Sequence, residues 1–127
     1  MQKILIIDDN PTHRLINRRW IEMLRPGMFT VVEATGAATG IEAIVRESPA
    51  CVLLDFIMLG DDGFQALHRM KQDIPDCPPV IFLTCALTED LKRNALALGA
   101  VSCFDKATLS GEELLDAIVS AIGKDAA

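Results

Sequence analysis

"KILIIDDN", residues 3–10, decides how the rest of the chain is read. Its apolar residues Ile4, Leu5, Ile6 and Ile7 run directly into two adjacent aspartates, Asp8 and Asp9. A short, nearly continuous apolar run is the pattern of a strand buried on both faces, as in a parallel sheet. Like charges side by side at the end of such a strand repel each other. The arrangement asks for something that makes it tolerable.

Outward from that stretch, four more runs of the same kind follow: "TVVEA" (30–34), "CVLL" (51–54), "VIFL" (80–83) and "VSCF" (101–104). Helix-period segments separate them. Asn10-Pro11 offers an N-cap and a first-turn proline, with Ile16, Trp20, Met23 and Leu24 following at helical spacing. Ile41, Ile44 and Val45 mark a second helix, and Phe64, Leu67, Met70 and Ile74 a third. Thr88-Glu89-Asp90 places acid in the first turn of a fourth, which carries Leu91, Ala95 and Leu98 and ends at Gly99. "SGEE" (110–113) reads as a capping box before Leu114, Leu115, Ile118, Val119 and Ile122. Five βα units with short connections imply one α/β domain over 1–127, a parallel sheet with helices on both faces.

The 127 residues are half apolar and carry a net charge of −6, a folded rather than disordered balance. That acidity argues against direct nucleic-acid binding, which needs an excess of Lys and Arg. No apolar run is long enough to cross a bilayer, and carboxylates follow the first one too soon for a secretory signal. A cytoplasmic protein without membrane attachment is expected. Cys51, Cys77, Cys85 and Cys103 form no CxxC pair and read as small buried hydrophobes in a reducing compartment.

In a doubly wound sheet the ligand site lies beyond the carboxyl ends of the strands. There this sequence places Asp8-Asp9, Asp55, Thr84 and Lys106, each just past an apolar run. Two unit charges about 5 Å apart repel by roughly 3 kcal/mol at an effective dielectric near 20. Three converging carboxylates therefore suggest a hard divalent cation such as Mg²⁺, which takes oxygen ligands.

The pieces "ILIIDDNP", "VVEATGAATGIEAI", "LLDFIMLGDDGF", "IFLT" and "GAVSCFDK", in this order and spacing, resemble the receiver domain of two-component response regulators along nearly the whole chain. The resemblance implies a flavodoxin-like (CheY-like) sheet of order 2-1-3-4-5. It implies that Asp55 accepts a phosphoryl group from a histidine kinase or histidine phosphotransfer protein. Mg²⁺ would be held by Asp8, Asp9, Asp55 and the backbone carbonyl of Ile57, with Asp8 acting mostly through water. Lys106 would pair with a phosphoryl oxygen and Thr84 would hydrogen-bond another. A phosphorelay switch of this kind acts on a downstream output domain or target protein, and a phosphorylation-dependent homodimer fits it equally. Beyond self-phosphorylation and slow self-dephosphorylation, no enzyme activity is expected.

The sequence departs from the family at several points. Ala107 replaces the usual proline after the lysine, so a trans bond is expected there. Cys103 stands at the customary aromatic switch position, with Phe104 next to it as a core or edge residue, and Leu59 replaces a common proline. Ile57 and Ala86 occupy positions that tune phosphoryl lifetime and cannot position a water through a side chain, which implies slow loss of the group. His13, Arg14, Arg18 and Arg19 give the first helix a basic face suited to kinase docking, and His68 is expected at the surface.

Three rivals stand beside this reading. A degenerate receiver would bind proteins independently of phosphorylation. A Mg²⁺-dependent aspartyl phosphohydrolase would use acids in a DxD arrangement after the first strand, whereas here they are adjacent. A flavin binder would need a Ser/Thr/Gly-rich phosphate loop where "DDNPTH" stands.

Overall fold

Every apolar run forms a strand and every helix-period segment a helix, in strict alternation. The computed structural model describes residues 1–56 and 62–126. Its elements are β1 (Gln2–Ile7), α1 (Pro11–Leu24), β2 (Phe29–Ala34), α2 (Ala37–Glu47), β3 (Cys51–Asp55), α3 (Gly63–Asp73), β4 (Val80–Thr84), α4 (Glu89–Ala97), β5 (Ser102–Asp105) and α5 (Gly111–Ala126). The sheet is parallel throughout, in the order β2-β1-β3-β4-β5.

Alternation along the strands builds two cores. Leu5, Ile7, Val52, Leu54, Val80 and Phe82 face α2, α3 and α4, meeting Ile44, Leu67, Met70 and Ala95. Ile4, Ile6, Cys51, Leu53, Ile81 and Leu83 face α1 and α5, meeting Ile21, Leu114, Leu115 and Ile118. The central strands are therefore buried on both sides, which is why their sequences are apolar without a break.

The helix starts are capped as their sequences suggest. Asn10 Oδ1 accepts the Thr12 N–H at 2.9 Å, Thr88 Oγ1 accepts that of Leu91 at 3.1 Å, and Ser110 and Glu113 cap each other reciprocally at 3.1 and 3.2 Å. Each removes an orphaned donor from a first turn. Gly99, just past α4, has φ +112°, a conformation that disfavours any residue with a Cβ.

Two helix faces differ from expectation. In α1 the buried residues are Asn17 and Ile21, with Trp20 and Leu24 at the margin, while Ile16 and Met23 are exposed. In α2 Val45 is exposed, and the buried face is Ala37, Gly40, Ala43 and Ile44. These small residues let the helix lie close to β1, where a Cβ on Gly40 would come within 2.5 Å of Ile7 Cδ1. Cys51 and Cys103 are buried as expected, Cys77 is half-buried, and Cys85 is exposed. All four are free thiols. Among the described residues every peptide bond is trans, including that into Ala107. No helix among the described residues is long and apolar enough to cross a membrane.

Candidate functional site

Strand register brings the polar residues to one level. Ile7 pairs with Leu54, so Asp8 and Asp55 end neighbouring strands, and Asp55 pairs with Leu83 on β4. Thr84 stands one residue further, opposite Asp105 of β5, which immediately precedes Lys106. The strand order reverses between β1 and β3. Asp8 and Asp55 flank that reversal, where doubly wound sheets bind their ligands.

Carboxylate oxygens of Asp8, Asp9 and Asp55 lie within 4.8 Å of one another. Asp8 and Asp55 are buried, and Asp9 is half-buried. Lys106 reaches back from the edge strand across β4, and its Nζ lies 2.6 Å from Asp8 Oδ2 and 2.8 Å from Asp55 Oδ1. Strands are spaced about 4.8 Å apart, so spanning from β5 to β3 and β1 calls for a long side chain. The Lys106 side chain is only 11% exposed.

The electrostatics follow from that enclosure. Burial pushes the Asp55 carboxyl up; the Lys106 hydrogen bond and charge oppose this, the Asp8 charge reinforces it, and the net shift is upward. Burial works against the Lys106 ammonium, but hydrogen bonds and charge from Asp55 and Asp8 overcome it and hold its pKa above the ordinary lysine value. The ammonium counters part of the negative charge and leaves an acidic, oxygen-rich concavity. That donor set fits a hard cation such as Mg²⁺.

The surroundings hold the acids in place. The Asn10 N–H donates to Asp8 Oδ1 at 2.9 Å, and Arg14 Nη1 donates to the Asp8 carbonyl at 2.8 Å. Beneath β3 the rings of Phe56, Phe64 and Phe82 pack with centroids 5.1 to 5.8 Å apart. Gly63 is required there, because a Cβ would come within 2.7 Å of both Phe56 Cα and Phe82 Cζ. Thr84 is fully buried; its Oγ1 accepts the Ala86 N–H at 3.2 Å, and its carbonyl accepts the Lys106 N–H at 2.8 Å. The strand end carrying the hydroxyl is thus tied to the lysine's backbone.

The structure therefore gathers Asp8, Asp9, Asp55 and Lys106 and sets Thr84 on the adjoining strand end. Ile57 and Leu59 lie outside the described residues. His68 is exposed, and Phe104 is a half-buried residue packed on the α1/α5 side. One residue that the sequence assigns only to the basic face of the first helix also reaches the site: His13, whose Nδ1 lies 3.0 Å from Lys106 Nζ and 3.6 Å from Asp8 Oδ2. A cleft of about 180 Å³, lined by Asp9, Asn10, His13, Asp55, Cys85 and Lys106, opens the acids to solvent.

The family profile described as response regulator receiver domain matches residues 4–119. The chain belongs to that family. It is 31% identical over 95% of its length to the transcriptional regulatory protein LiaR of Bacillus subtilis, of which it spans 56%. It is 30% identical over 92% of its length to sporulation initiation phosphotransferase F of the same organism, covering 90% of that protein. Among solved structures it superposes with a TM-score of 0.86 on the signal receiver domain of a DNA-binding response regulator from Colwellia psychrerythraea. That match is 31% identical and covers 97% of this chain and 99% of the other. Membership places the receiver in two-component phosphorelay signalling, a setting of histidine kinases, phosphotransfer proteins and output domains. The five-stranded order 2-1-3-4-5 is that of CheY-like receivers.

Proposed function

We propose that the chain is a phosphorylation-dependent switch in which Asp55 is the phosphoacceptor. The observation that carries this reading is the shared contact of Lys106 with Asp8 and Asp55 beside a third carboxylate, Asp9. Phosphoryl transfer needs a nucleophile in line with the leaving group and neutralisation of the equatorial oxygens. An Asp55 carboxylate oxygen forms the new O–P bond. The P–N bond of a phosphohistidine on a kinase or phosphotransfer partner breaks, and its electron pair returns to the imidazole.

Asp8, Asp9 and Asp55, with the Ile57 carbonyl, would hold Mg²⁺. When bound, the cation supplies charge neutralisation for the transferring group. Lys106 follows the charge from the carboxylate onto a phosphoryl oxygen. The Thr84 hydroxyl leaves the Ala86 N–H to meet another oxygen, shifting the β4–α4 loop and α4 between two packings. The 127 residues act as one cytoplasmic receiver domain, without direct contact to nucleic acid or membrane. The output is a downstream domain or target protein, and pairing of two phosphorylated copies is compatible with it. Ala86, exposed beyond Thr84, offers no side-chain hydrogen bond to a hydrolytic water, so self-dephosphorylation is slow.

Incubation with Mg²⁺ and acetyl phosphate tests the reading. One acid-labile phosphoryl group is expected on the wild type, and none on Asp55→Asn. Multiple turnover of the donor without a retained group would make the chain a phosphohydrolase. Neither retention nor turnover would make it a phosphorylation-independent binding module.

A further inference from the structure

An ammonium group carries three hydrogens and accepts none. In Lys106 two of them go to Asp55 Oδ1 at 2.8 Å and Asp8 Oδ2 at 2.6 Å. Among the described residues a third contact of Nζ is His13 Nδ1, at 3.0 Å, from a residue 93 positions away in the chain. Since lysine can only donate, a hydrogen bond between the two has Nδ1 as its acceptor. His13 is itself fixed, because it lies in the first turn of α1, where its N–H points to the Asn10 cap at 3.4 Å.

We infer that His13 is a positioning residue for phosphoryl transfer, acting through Lys106. The inference rests on Asp55 being the phosphoacceptor. The two anionic partners of Lys106 change their duties during the reaction. Asp8 would help to hold a cation, and Asp55 would become an ester whose charge lies on the phosphoryl oxygens. A lysine tethered only by those two groups loses both anchors at the moment it must be aimed. The His13 ring sits on a separate element, α1, and neither change displaces it. It keeps Nζ over the site while the other two hydrogens pass from carboxylate to phosphoryl oxygen. Hydrogen bonds to charged groups are the strong ones, and their strength depends on such fixed geometry.

The test compares His13→Phe, which fills the space without an acceptor, with His13→Asn, whose Oδ1 can take the place of Nδ1. The His13 side chain is 33% exposed, so replacement leaves the core intact. His13→Ala serves if the phenylalanine variant does not fold. With acetyl phosphate at saturating Mg²⁺, His13→Phe is expected to phosphorylate about tenfold more slowly, the loss implied by one charge-assisted hydrogen bond. Mg²⁺ affinity, followed through the single tryptophan, Trp20, is expected to stay the same, and His13→Asn to restore most of the rate. In ¹⁵N spectra the Lys106 ammonium is expected to show slowed hydrogen exchange in wild type and His13→Asn, and fast exchange in His13→Phe.

Equal rates in wild type and His13→Phe would overturn the inference, as would His13→Asn as slow as His13→Phe. If the wild type takes no phosphoryl group, the phosphoacceptor reading fails on its own. The ammonium signal, read in the unphosphorylated protein, then decides whether His13 holds Lys106.

Discussion

Helices α4 and α5 flank the same edge of the sheet from opposite faces, yet they are held very differently. α5 buries Leu114, Leu115 and Ile118 completely and Ala121 nearly so. α4 buries Ala95 alone, with Leu91 and Leu98 half-buried at its margins. Full burial of one leucine stabilises by about 1.5–3 kcal/mol, so the two anchors differ by several such contributions. The acidic site lies at the strand ends, and the chain runs from its rim at Cys85 into α4 and from Lys106 into α5. The α5 connection thus leads to a face that is costly to move, and the α4 connection to a helix with little buried anchorage. Under the proposed role of Asp55, this asymmetry would give its phosphorylation a direction in which to propagate.

The most direct way to break the comparison is truncation on each side. Leu115→Ala in α5 is expected to lower unfolding stability by about 3–4 kcal/mol in urea denaturation. Similar losses for Leu115→Ala and for a truncation in α4 would erase the contrast. Lys106→Met sharpens the picture at the site itself. Without the ammonium the buried carboxylates lose their counter-charge, at a cost of about 3 kcal/mol without Mg²⁺. Added Mg²⁺ is expected to stabilise this variant more than the wild type, read as the shift in its thermal midpoint. Leu91→Ala in α4 is expected to cost only about 1 kcal/mol, because its side chain is only partly buried.

The smallest effect lies on the β2 edge, far from both helices. Burial raises the Glu33 carboxyl pKa, but hydrogen bonds and charges from Arg18 and Arg14 overcome it and hold it below its usual 4.5. A carboxyl lower in the folded than in the unfolded state stabilises fully above its unfolded pKa, and that contribution disappears as pH falls through the folded value. Glu33→Gln is therefore expected to be less stable near neutrality by under about 1 kcal/mol, as for a surface pair. The gap should close on acidification in a pH series of urea titrations. A gap that widens on acidification would reverse the sign assigned to this cluster.

Much of this molecule is legible in its sequence, for reasons that belong to particular residues. β1, β3 and β4 are buried on both faces, so their apolar runs are unbroken and their ends are marked by Asp8, Asp55 and Thr84. Caps at Asn10, Thr88 and Ser110 are local hydrogen bonds spanning two or three residues, and local contacts leave local patterns. The α1 face was obscured because that helix carries apolar residues around much of its circumference. Exposed Ile16 and Met23 keep helical spacing as well as buried Ile21 does, and the other buried position is a polar Asn17. His13 was invisible as a site residue because its role comes from a single contact across 93 positions. The packing of Phe56 and Phe64 against Phe82 is hidden in the same way, since it exists only once β3, α3 and β4 have come together. The exposure of Cys85 follows from its place one residue past β4, at the rim of the cleft.

Amide hydrogen exchange on the chain with Mg²⁺, with and without beryllium fluoride as a phosphoryl mimic, tests the central claim most directly. The expected result is altered exchange along 84–98, the loop after β4 and α4, with the buried turns of α5 unchanged and no response in Asp55→Asn. Exchange that changes equally in α4 and α5, or that shifts in α5 alone, would contradict a site poised between one fixed side and one yielding side.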